Sequence, residues 1–157
     1  MTKVLLSAHV LAAILVVGPI TVAASLFPRY ARQSLGGDDP GGRSAGTAAL
    51  LHRICRGYAV VGIAVPVFGL ATGAQLGVLT DAWLITSMVL TGIAAAVLVA
   101  AVLPAQQRLL AAGPDPADDS GHRRAAARLA SLTGVFNILW AVVVVLMIVR
   151  PGSTTGA

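Results

Sequence analysis

At 157 residues, with 57% hydrophobic and only 11% charged residues, the chain departs from soluble globular domains, in which about a quarter of residues carry charge. A formal charge of +5 does not point to nucleic acid, because only 4% of residues are aromatic, too few for base stacking, and the long apolar runs must leave water. The single cysteine, Cys55, excludes an intramolecular disulfide and a thiolate metal cluster.

A bilayer core of about 30 Å requires roughly 20 apolar residues in a helix, and the chain supplies four such runs. They cover residues 4–27, 54–77, 82–103 and 129–149. The expected fold is all-α: one integral membrane domain over residues 1–157, a four-helix bundle whose N- and C-termini lie outside.

The first run carries His9 about five residues inside its start, roughly 8 Å deep at 1.5 Å per residue. Ionisable groups at such depth are costly, which makes His9 the foremost candidate for chemistry. An imidazole there can ligate a haem iron, bind a metal or carry a proton; the plainer reading is a neutral histidine hydrogen-bonded to a neighbouring carbonyl or water. Gly18-Pro19 should bend this helix. The run ends in Val22-Ala23-Ala24, which imitates a signal-peptide cleavage site, but its apolar stretch is longer than a typical h-region, so the helix is expected to be retained.

The connection from Pro28 to Ala49 contains GGDDPGG at 36–42, a broken, aspartate-bearing surface segment. Within it, GGRSAGT at 41–47 imitates a phosphate loop but lacks the lysine before Thr47 and any preceding strand. The second run opens on LHRICRGY at 51–58. His52 and Arg56 are one helical turn apart with Arg53 beside them, a grouping suited to an anionic headgroup, a propionate or a phosphorylated ligand. Arginines that anchor the span to lipid phosphates are the simpler explanation. Further on, Pro66 should bend the helix, and Gly69, Gly73 and Gly77 form a flat strip. A second backbone can approach such a strip, either within the bundle, the preferred reading, or in a homo-oligomer or a partner membrane protein.

A short turn at 78–81 ends in Asp81, expected to cap the third helix just before Trp83. The connection from Pro104 to Arg128 contains GPDPADDSG at 113–121, in which Asp115, Asp118, Asp119 and His122 have metal-ligand chemistry but read as a solvated linker. In the fourth run, Ser131, Thr133 and Asn137 supply polar groups for bonds between helices.

Arg29, Arg32, Arg43, Arg53, Arg56, Arg108, Arg123, Arg124 and Arg128 flank the two long connections, against Lys3 and Arg150 at the other ends of the spans. This bias of nine to two puts both long connections in the cytoplasm. The arginine-, alanine- and glycine-rich composition matches a GC-rich coding sequence and suggests a bacterial cell membrane. No run contains an aspartate, and the chain has no glutamate at all, so intramembrane acid chemistry lacks its residues and the reading leans away from an enzyme.

SAHVLAAILVVGPITVAASLFPRYAR (Ser7–Arg32) and LHRICRGYAVVGIAVPVFG (Leu51–Gly69) resemble a family of small four-span membrane proteins known as a domain of unknown function. More distantly, His9, Gly18, Pro28 and Arg29 resemble the copper-resistance membrane domain and the HemJ-type protoporphyrinogen oxidases. That resemblance implies a bundle that binds b-type haem with His9 as axial ligand. The chain departs from the oxidases in having no lysine except Lys3, and from copper carriers in its scattered Met88, Met147 and Cys55. His9 and His52 fall at opposite ends of antiparallel spans, which disfavours a single iron taking both within one chain. Three functional readings follow: a haem-binding or accessory subunit of an electron-transfer or assembly system through His9; a binder of an anionic lipid or small solute through His52, Arg53 and Arg56; and a structural packing partner through Gly69, Gly73 and Gly77.

Overall fold

In the computed structural model, residues 2–36, 39, 41–113 and 118–152 are described. Parts of both aspartate-bearing connections, including Asp115, lie outside them. The described residues form helices and no strand. Four rods result, each long and apolar enough to cross a membrane. The first is α1 (Thr2–Leu35). The second is α2 (Arg43–Val61) continued by α3 (Ala64–Leu76). The third is α4 (Ala82–Ala96), a π-helical stretch (Val97–Val102) and α5 (Leu103–Ala111). The fourth is α6 (Asp119–Val149).

These rods outrun their apolar segments. The 34 residues of α1 extend about 51 Å at 1.5 Å per residue, against a hydrocarbon core of about 30 Å. The surplus lies where arginine, alanine and glutamine, all good helix formers, follow or precede the apolar runs. The bundle therefore has a loop end, where α1 and α5 stop and α2 and α6 begin, and a terminal end, with the start of α1, the end of α6 and the turn at 78–81.

Two rods are irregular, each for a proline. Pro66 has no amide hydrogen, and its ring crowds the carbonyl four residues back, that of Gly62. The chain breaks there: Ile63 N–H donates to Val60 O at 3.3 Å and Val65 N–H to Gly62 O at 3.1 Å, both spanning three residues instead of four. Pro104 crowds Ala100 in the same way, and the turns before it widen into the π-helical stretch.

Around the bundle, α1 packs against the second rod on one side and α6 on the other, and α6 packs against the third rod. The second and third rods meet mainly at their ends, α2 with α5 and α3 with α4. On α1 the inward stripe is Val16, Ile20, Ala23, Ala24, Phe27, Ala31 and Leu35; on α6 it is Ala126, Leu129, Thr133, Phe136 and Val143. Both follow the three-and-four spacing of a helix face. Because lipid is as apolar as leucine, the contacts are held by close packing, which explains the alanines of the α1 stripe. Outward-facing Val4, Leu11, Ile14, Leu15, Ile138, Val145 and Ile148 are exposed, as a lipid-contacting surface requires.

The helix ends carry their own solutions. The Asp39 carboxylate accepts the amides of Ser44 at 2.9 Å and Ala45 at 3.1 Å, holding the start of α2 from four residues before its first residue, Arg43. The Ser44 amide above all holds that carboxyl below its ordinary value, so its contribution to the cap is present near neutral pH and lost on acidification through the lowered value. At the other end of the rod Gly77 takes φ +70°, and the amides of Gly77 and Val78 turn back to Ala74 O and Gly73 O. Gly77 is thus a helix stop, while Gly69 and Gly73 serve contacts inside the chain. A Cβ at Gly73 would lie 2.9 Å from Leu84 Cδ2 and 3.2 Å from Leu79 Cδ2, whereas one at Gly92 would meet nothing within 4 Å.

Gly73→Leu should therefore overpack this junction and cost about 1–3 kcal/mol. A lower melting temperature in detergent, with Gly92→Leu close to the parent, checks it.

Candidate functional site

His9 sits half-buried on α1 at the terminal end, where its Nδ1–H donates to the Val65 carbonyl at 3.0 Å. A carbonyl only accepts, so Nδ1 holds the proton and, in the neutral ring, Nε2 keeps a free lone pair. The ring lies on Gly69, where a Cβ would come within 3.0 Å of its Cε1. Glycine there makes room for the imidazole, and the imidazole stitches the first rod to the second just beyond the Pro66 break. His9 borders neither cavity described below, and His52 lies toward the opposite end of the bundle. The bond to Val65 and the seat on Gly69 make His9 a clasp between the first and second rods.

The LHRICRGY segment divides its polar residues between two environments. His52 is buried and its Nδ1–H donates to Gln106 Oε1 at 2.9 Å. Gln106, fully enclosed on α5, directs its amide Nε2 toward Cys55 Sγ at 3.7 Å. This row joins the second and third rods at the loop end. Arg53 and Arg56 are exposed, and only Arg56 reaches the rim of a cavity.

That cavity, of about 390 Å³, opens where the middles of the second and third rods part. Gly62, Ile63 and Pro66 line it from the break, Leu98, Val99 and Leu103 from the π-helical stretch and its exit, and Phe136 and Trp140 from α6. The two aromatic rings meet edge to face, centroids 6.4 Å apart. Apart from Arg56, Thr91 and the Trp140 indole the lining side chains are apolar, and the Thr91 hydroxyl is bound to its own helix at Ser87 O.

A second cavity, of about 580 Å³, lies at the loop end between the last turns of α1 and the first turns of α6. Arg29, Arg32, Gln33, Asp119, His122 and Arg123 supply its polar lining.

At the terminal end, Asp81 takes the N-cap position of α4, where its carbonyl accepts the amides of Leu84 and Ile85, but its side chain does not make the expected cap. Its carboxylate instead accepts the Trp83 indole N–H at 3.0 Å, and Arg150 stacks over the same ring at 5.6 Å. Between spans one and four, Asn137 Nδ2 donates to Ser25 Oγ at 3.3 Å, while Thr133 Oγ1 and Asn137 Oδ1 are buried without a partner among the described residues. Ser131 bonds within its own helix, to Ala127 O. No three metal-ligating side chains converge among the described residues. Asp118 and His122 approach to 3.8 Å, one helical turn apart.

The chain matches no protein-family profile, no curated protein and no solved structure.

Removing one partner of the His52–Gln106 pair leaves a buried polar group unpaired, at about 1–3 kcal/mol, whereas removing both relieves that penalty. A double-mutant cycle of His52→Leu and Gln106→Leu should be strongly non-additive, the double variant melting above the sum of the singles. Strict additivity would show the bond contributes nothing.

Proposed function

We propose that this small multi-pass membrane protein holds one anionic lipid, its chain in the cavity between the second and third rods and its headgroup at Arg56. The reading takes the loop end as cytoplasmic, following the arginine bias, and the membrane as the bacterial cell membrane. One observation carries it: an apolar cavity opening between two lipid-facing rods, with a single cation on its rim.

Its volume falls within the roughly 300–1,000 Å³ of small-ligand cavities, and a wall that is apolar except for Arg56, Thr91 and the Trp140 indole suits a hydrocarbon chain better than a hydrophilic solute. In a bilayer such an opening fills with hydrocarbon, because water there would lack hydrogen-bond partners. Arg56 adds selectivity for charge, since a guanidinium offers forked donors to a phosphate or carboxylate. Arg53 and His52 do not border the cavity, so the lipid reading narrows from three residues to one cation and an apolar wall.

Native mass spectrometry of the protein extracted in mild detergent should retain one anionic phospholipid per chain. Arg56→Gln should lose the preference for anionic over zwitterionic lipid, and Ala95→Trp, which fills the cavity, should lose retention altogether. Retention unchanged in both variants would reject the reading.

A further inference from the structure

The loop-end cavity between α1 and α6 has a different chemistry. Arg29, Arg32 and Arg123 line it with His122, and Asp119 is its one carboxylate. Asp119 lies 3.8 Å from Arg123 on an exposed edge, a weak pair, so three arginines against one carboxylate leave the described lining a cationic excess. The first turn of α6 also borders it; among the described residues no side chain caps its amides, and the Asp118 carboxylate lies beside that turn at Gly121. His122 also lines the cavity: its side chain is only 12% exposed, its Nε2 lies 3.8 Å from the Asp118 carboxylate, and its buried Nδ1 has no hydrogen-bond partner among the described residues. A buried ring nitrogen without a partner is costly unless a ligand or water supplies one.

Simple membrane anchoring explains arginines that point away from a bundle. Arg29, Arg32 and Arg123 are exposed as anchoring arginines are, but anchoring does not explain why they converge from two helices on one cavity beside a half-buried histidine. We infer that this cavity is a binding site for a phosphate group, held by Arg29, Arg32 and Arg123 with His122 at its wall. Its position where the helices leave their apolar runs makes it reachable by both a phospholipid headgroup and a free phosphorylated solute. The inference does not rest on the lipid cavity, which shares none of these residues.

The full-length protein in neutral detergent, titrated with inorganic phosphate by calorimetry, tests the free ligand. The protein in phosphatidylcholine nanodiscs doped with phosphatidylglycerol, read by lipid retention, tests the headgroup. Saturable binding in the first arm assigns a soluble phosphate; retention of phosphatidylglycerol in the second alone assigns a lipid. In whichever arm binds, Arg32→Gln/Arg123→Gln should weaken binding about tenfold or more. Arg124→Gln/Arg128→Gln removes the same charge from exposed residues of α6 outside the cavity and should change it little. Arg29→Gln gives a second reading should the first pair fail to fold. No binding in either arm, or equal loss in the two pairs, overturns the site.

Discussion

A proline in a membrane helix leaves a carbonyl that no water can satisfy, and the architecture depends on how two of them are resolved. Pro66 forces the second rod to break at Gly62–Ile63, with hydrogen bonds shortened to three-residue spans. Pro104 forces the third rod into a π-helical stretch over Val97–Val102. The two irregular stretches face one cavity, and between them the rods part although they meet at both ends. Backbone chemistry at two positions thus creates the apolar opening on which the lipid reading rests.

The remaining contacts hold the frame in which this opening is stable. His9 ties α1 to the second rod beyond the break, and Gly69 admits its ring. At the opposite end His52, Gln106 and Cys55 join the second and third rods. Asp81, Trp83 and Arg150 close the terminal end where α4 begins and α6 stops. With rods tied at both ends, a gap in the middle is a bounded cavity and not a separation of helices.

Much of this was legible in the sequence. The four spans followed from apolar run length, the break at Pro66 from its missing donor, and the start of the third helix after Asp81 from the turn before it, although the Asp81 carboxylate binds Trp83 instead of capping. Other features depend on tertiary context. The rods extend through Pro28 and back to Arg43 and Asp119, because a helix formed by good helix formers does not end where hydrophobicity ends. His52 and Arg56 share a turn in sequence, but neighbouring rods bury the first and leave the second at a rim. Gln106 carries no sequence signal of its own, since its role exists only through a histidine 54 residues away. Gly77 continues a four-residue spacing but serves a left-handed stop. The loop-end cavity joins residues from opposite ends of the chain, which no local pattern reveals.

The central claim is that the proline-driven irregularities hold the second and third rods apart around a lipid chain. A structure determined in lipid nanodiscs tests it most directly. The account predicts continuous acyl density along Gly62, Ile63 and Val99 with a headgroup beside Arg56. Rods closed on each other, with Val60 packed against Val99 and no density between them, would contradict it.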